Sequence, residues 1–131
     1  FPDKWVIGAD TIVVHRGRVL GKPKTEQDAM EMLKTLRGKW HKVYTAYCIL
    51  NVSKNTSYQD VVETKVFIKD LTDDEIRRYI KTSEPFDKAG SYAVQGKGGF
   101  MVKEIKGSYS NVVGLPICEI AEVLLSQGIL S

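Results

Sequence analysis

The apolar positions fall into short runs, and the first, Trp5-Val-Ile-Gly-Ala-Asp10-Thr11-Ile-Val-Val14, is almost unbroken. A continuous Val/Ile-rich run predicts a strand buried on both faces. Asp10 breaks it, and a carboxylate inside a buried strand is costly unless paired or coordinated. His15-Arg-Gly-Arg18 predicts a turn, and Val19-Leu20 a short returning strand. Thr25, with Asp28 three residues on, predicts the N-cap of a helix to about Leu36. Ala29, Met30, Leu33 and Leu36 form its inward stripe, and Arg37-Gly38 closes it. His41 to Val52 and Gln59 to Lys69 predict two strands of similar length, joined by a polar loop and paired antiparallel. Thr72-Asp-Asp-Glu75 is a capping box, opening a helix with Ile76, Tyr79 and Ile80 inward. Glu84 to Gly99 is irregular and glycine-rich, and Phe100 to Ile105 predicts a strand. Pro116 predicts the start of a last helix that buries Ile117, Ile120, Ala121 and Leu124 and ends at Gly128. The order β-α-β-β-α-β-α predicts an α/β class: one domain over residues 1–131, a mixed twisted sheet with flanking helices.

Composition narrows the class. The 131 residues are 43% hydrophobic and 27% charged, enough for one globular core. Nineteen Lys+Arg against 16 Asp+Glu give +3, too mild to indicate a nucleic acid polymer but compatible with a basic pocket for a small anion. Cys48 and Cys118 lie in apolar surroundings without a C-x-x-C pair, so reduced core thiols in a cytoplasmic protein are expected. No apolar run approaches the ~20 residues that span a bilayer. The chain starts at Phe1, almost on its first strand, and is expected to be cut from something longer on the N-terminal side.

Three stretches are too polar or too glycine-rich for their positions. Asp10-Thr11 fits either a satisfied core carboxylate or a general base or metal ligand, and the residues alone leave both open. Leu20-Gly-Lys22-Pro23 places a lysine on a rigid turn, but Pro23 stands where a P-loop needs Ser or Thr. Glu84-Pro-Phe-Asp87-Lys88-Ala-Gly90 through Gln95-Gly-Lys97-Gly-Gly99 crowds carboxylates, lysines, an amide and glycines into sixteen residues. Such a segment can bring backbone N–H groups and point charges to an anion. His15 and His41 have no Cys or His at ligand spacing, so no zinc site is expected.

In order, these stretches resemble the Maf family of nucleoside triphosphate pyrophosphatases. The resemblance rests on Gly8-Ala-Asp10-Thr11-Ile-Val, Leu20-Gly-Lys22-Pro23 and Met32-Leu33-x-x-Leu36-x-Gly38-x-x-His41-x-Val43-x-Thr45. Glu84-Pro-x-Asp87-Lys88-Ala-Gly90-x-Tyr92, Gln95-Gly and Gly107-x-Tyr109-x-Asn111-Val-Val-Gly114-Leu-Pro116 continue it. It implies a fold related to the inosine triphosphate pyrophosphatases, with a cleft between two lobes. It implies hydrolysis of a nucleoside triphosphate to the monophosphate and pyrophosphate, helped by Mg²⁺ or Mn²⁺ whose ligands are not assigned. By the resemblance, Asp10 matches the proton acceptor, with Lys22 beside it in catalysis. Thr11 and Gln95 match positions of substrate choice, and Lys22, Glu84, Asp87 and Lys88 match polar positions of the cleft.

Tyr92-Ala-Val-Gln95-Gly96 resembles the dTTP/UTP subfamily, whereas members acting on 7-methyl-GTP carry Glu at the Gln position. An amide offers a donor and an acceptor, which suits the O, N–H, O edge of uracil or thymine. A carboxylate only accepts, which suits guanine N1–H and N2–H₂. The resemblance leaves three rivals: a non-catalytic nucleotide-binding regulator of cell division, a 7-methyl-GTP enzyme, and a house-cleaning activity on modified pyrimidine triphosphates. It implies no nucleic acid polymer and no membrane as partner, and leaves a homodimer open. Two departures from the family pattern stand out. The Ser-x-Ser-x-Arg-Arg segment that resembles a phosphate-gripping arm has no counterpart here, and Ala46 replaces the usual Gly after Thr45.

Overall fold

The computed structural model describes residues 5–51, 54–113 and 115–126, apart from the side chains of Asp87 and Ala89. Val52 and Gly128, expected as strand and helix ends, lie outside the described residues. The elements are β1 (Trp5–His15), β2 (Arg18–Leu20), α1 (Glu26–Leu36), β3 (Trp40–Asn51), β4 (Thr56–Ile68) and α2 (Asp73–Ile80). Three 3₁₀ turns, Glu84–Asp87, Ala89–Ser91 and Lys97–Met101, then lead to β5 (Val102–Lys106), α3 (Tyr109–Val113) and α4 (Ile117–Ser126). The α/β class with flanking helices is as expected, but the expected mixed sheet is corrected to an antiparallel one. β1 and β2, and β3 and β4, are joined by short connections, and β3 returns antiparallel beside β1. The strands run β2-β1-β3-β4-β5, and every described pairing is antiparallel. Among the described residues no helix is long and apolar enough to cross a membrane.

Local chemistry sets the helix ends. Asp28 N–H donates to Thr25 Oγ1 at 3.1 Å, capping α1, and Gly38 takes φ +67° beyond its end. Thr72 and Glu75 complete the reciprocal capping box of α2. Arg37 Nη1 lies 2.6 Å from Asp73 Oδ1 and ties the two helices together.

Among the described residues the sheet is covered on one face only. Along β3, residues 41, 43, 45, 47, 49 and 51 are buried and those between them are not. Ala29, Leu33 and Leu36 of α1 and Ile76, Tyr79 and Ile80 of α2 pack with Val13, Val43, Val66 and Ile68. Ile120 of α4 packs with Tyr47 and Ile49 on that same face. β1 is therefore not buried on both sides: Val6, Asp10 and Ile12 stand on the open face and are exposed. The expectation of a buried Asp10 is corrected, because an apolar run can stand on a sheet with one bare face. Cys118 is exposed and Cys48 half-buried, so the pair is not a set of core thiols; both are free.

Polar groups bind the covered face. Asn111 of α3, fully buried, donates from Nδ2 to Val43 O, Val62 O and Thr64 Oγ1 at 3.2, 3.0 and 2.9 Å. His41 and Tyr92 are buried and hydrogen-bond through Nε2 and the phenol at 2.5 Å. Burial, with a smaller push from His15, lowers the His41 pKa from 6.5 to about 4. The unfolded chain thus takes up a proton below about 6.5 that the native chain refuses until about 4. Stability from this group is complete above 6.5 and is lost as pH falls toward 4. Urea unfolding is expected to show about 2–3 kcal/mol less stability at pH 4.5 than at pH 7. His41→Gln should remove most of that difference; an unchanged pH slope in the variant would assign it to other groups.

Candidate functional site

One cleft collects most of the predicted polar residues. It encloses about 940 Å³ over the covered face of the sheet, at its β1–β3 side. β1 contributes Thr11 and Val13, and the loop after β2 contributes Lys22. The segment after α2 contributes Glu84, Lys88 and Gln95. Val112 and Val113 of α3 close one wall.

Alternation along β1 delivers Thr11 to this cleft, where its hydroxyl lies 2.8 Å from that of Thr45. The same alternation sends Asp10 to the other face, into a shallow depression with Ala46 and Val61. The two adjacent candidates therefore do not share a face. What they share is an edge. β2 pairs only with residues 13–15 of β1, so residues 5–12 have β3 on one side and no described strand on the other.

The segment from 83 to 99 is shaped by a few tight contacts. Ser83 and Ser91 hold φ +66° and +71°, a region that costs a residue with a Cβ about 1 kcal/mol or more. Gly90 N–H donates to Gly21 O at 3.1 Å, which brings the Lys22 and Lys88 loops together. A Cβ on Gly90 would stand 3.0 Å from Val13 Cγ1, and its φ is +72°, so any larger residue there is strained on both counts.

Glu84 does not offer a bare carboxylate to the cleft. Its Oε1 accepts from the Tyr79 hydroxyl at 3.0 Å and from Gly98 N–H at 3.1 Å. Its Oε2 accepts from Lys97 N–H at 3.0 Å. Burial alone would raise its pKa, but the Lys97 amide, the Tyr79 phenol and the Gly98 amide together hold it below the usual carboxylate range. Burial, then Glu84 itself, pushes Tyr79 upward. The carboxylate thus ties the Gln95 turn to α2. Gly98 fits because a Cβ there would come within 2.7 Å of the Tyr79 hydroxyl. Lys22, Lys88 and Gln95 are exposed on the cleft, with cations and an amide available to a ligand. Asp87, also predicted for the cleft, has its side chain outside the described residues.

Sequence reasoning did not single out Tyr79, because an aromatic on a buried helical stripe looks like packing alone. Its signal was a phenol that needs a partner when buried. Among the described residues no group of three or more His, Cys, Asp or Glu is placed to hold a metal ion.

The sequence matches the family described as Maf-like protein over residues 1–127. It is 48% identical to a dTTP/UTP pyrophosphatase of Syntrophus aciditrophicus over all of this chain and 64% of that protein. Proteins with the same name from Geotalea uraniireducens and Alkaliphilus metalliredigens are 50% and 52% identical, over 95% and 93% of this chain. The matches cover 64% and 63% of those two proteins, so the chain spans less than two thirds of these curated relatives.

Glu84→Gln is expected to loosen the Gln95 turn. A hydrogen bond to a charged group contributes about 1.5–3 kcal/mol, so the Lys97 and Gly98 amides should exchange with solvent at least about tenfold faster. Hydrogen exchange followed by NMR measures this directly; unchanged protection would mean the turn is held by something else.

Proposed function

The chain belongs to the Maf-like protein family, and on that premise we propose that it acts as a nucleoside triphosphate pyrophosphatase on dTTP and UTP. The observation that carries the proposal is the gathering of Thr11, Lys22, Lys88 and Gln95 around one cleft of nucleotide size. The names of relatives about half identical to the chain point the same way.

In this reading water attacks the α-phosphorus, the bond to the α–β bridging oxygen breaks, and pyrophosphate leaves. Lys22 and Lys88 face the charge that develops on the leaving group, and positioned cations supply much of phosphoryl-transfer catalysis. Gln95 presents both a donor and an acceptor to the pyrimidine edge. Glu84 holds the turn that carries Gln95. Asp10 is assigned as proton acceptor for the water. It is exposed, and with no described strand beside residues 5–12 of β1 on that edge, a substrate seated at Thr11 can be approached from the Asp10 side. Mg²⁺ or Mn²⁺ is assigned to the substrate: such ions are held largely by phosphate oxygens and water, with one or two carboxylates, and supply charge neutralisation when bound.

Pyrophosphate release from dTTP, UTP, CTP, GTP and 7-methyl-GTP by the protein that carries this sequence tests the activity. Release is expected from dTTP and UTP, with Asp10→Asn at least about 10²-fold slower, the scale of a lost general base. Binding of dTTP without release would make the protein a nucleotide-binding regulator, and full activity in Asp10→Asn would move the proton acceptor elsewhere. Gln95→Glu should lower kcat/KM for dTTP and UTP by about 10–10²-fold and favour 7-methyl-GTP, because a carboxylate facing a carbonyl leaves both unpaired. An unchanged substrate profile would remove Gln95 from base recognition.

A further inference from the structure

We propose that the open face of the sheet carries a second anion site, separate from the cleft, for a ligand bearing two or more linked phosphates. Lys42 of β3 lies directly opposite Lys65 of β4, which lies directly opposite Lys106 of β5. Like charges directly opposite on neighbouring strands destabilise a sheet. Three in a row form a ladder in which Glu63 and the Trp40 ring answer the two ends, and among the described residues no ion pair or ring contact answers the central Lys65. Arg16, from the β1–β2 turn, and Lys39, before β3, border the same depression of about 780 Å³. No Asp or Glu lines it. Glu63 answers Lys42 at 3.5 Å, and Glu104 lies two residues from Lys106 on its strand. Among the described residues Arg16, Lys39, Lys65 and Lys106 have no carboxylate within ion-pair distance.

The shape indicates phosphate rather than a base. Neighbouring strands are about 4.8 Å apart, so the three lysine stems span about 10 Å, more than one phosphate can bridge. Trp40 and Phe67 wall one side, with ring centroids 5.3 Å apart, but Lys106 Nζ already sits 4.5 Å from the Trp40 ring centroid. A stacking base would have to displace that cation. The site is distinct from the cleft, because Lys42 and Val43 are neighbours on opposite faces of β3. It does not depend on the hydrolysis proposed above.

Inorganic tripolyphosphate, without added metal, is the probe, and melting and ¹H–¹⁵N NMR spectra of the chain are the readouts. Tripolyphosphate is expected to raise the melting temperature of the wild type and of Lys22→Gln, and to shift the amides around Lys65. Its apparent Kd should weaken at least about fivefold in Lys65→Gln. Without the probe, Lys65→Gln should melt above the wild type at low salt, and the gap should close at high salt as repulsion is screened. Absence of binding to the wild type overturns the proposal. So does equal binding to Lys65→Gln, or loss of binding only in Lys22→Gln. Two supporting outcomes separate the sources: dTTP that displaces tripolyphosphate from the Lys65 region marks nucleotide phosphates, and dTTP that does not marks a free oligophosphate.

Discussion

The period of two along β1, β3 and β4 is the constraint from which the rest follows. One register places Val13, Val43, Thr45, Val66 and Ile68 beneath the helices, and the residues between them on the bare face. A slip of one residue would invert both faces, exposing the core and burying lysines. Asn111 helps to fix the arrangement. Its amide joins α3 to carbonyls of β3 and β4 and to Thr64, contacts that no shifted register would satisfy together. The wall of the cleft and the core of the sheet are therefore one structure.

Against that rigid floor the other wall is loop, and a loop needs its own internal order to hold a side chain in place. Glu84 supplies it. A carboxylate accepting two backbone amides and a phenol behaves like the interior of a small anion site, with the anion belonging to the chain itself. This explains why the segment is both charged and rich in glycine. The glycines let the backbone wrap the carboxylate and Tyr79, while Lys88 and Gln95 remain outside the wrap and face the cleft.

Much of this was legible in the residues. Thr25 and the Thr72–Glu75 box announced their helices, because a cap is a local hydrogen bond between near neighbours. The order of strands and helices followed from period and turn chemistry. What local pattern could not carry was partnership across the chain. Asp10 was read as buried because an unbroken apolar run does not say which of its faces finds a covering layer. Helix α3 was missed because its five residues, Tyr109–Val113, carry little helical signal and are held by what Asn111 reaches. Glu84 was read as facing a ligand, but its oxygens turn toward residues 79, 97 and 98. Only folding brings those residues together.

The two faces also differ in what their polar groups do for stability. On the covered face the polar groups are tied into the fold: Asn111 Nδ2 by carbonyls, Thr11 by Thr45, Glu84 by amides, with Asn111 Oδ1 and His41 Nδ1 the buried atoms left unpaired among those named. On the open face the lysine ladder is answered by one carboxylate at the Lys42 end and by the Trp40 ring at the Lys106 end, with Lys65 between them. A sheet selected for stability alone would alternate charges across its strands, since opposite pairs help and like pairs hurt by a few tenths of a kcal/mol or more. Natural chains keep such costs where function offsets them. The cleft is built from groups that hold one another in position, and the open face from groups that repel until a polyanion joins them.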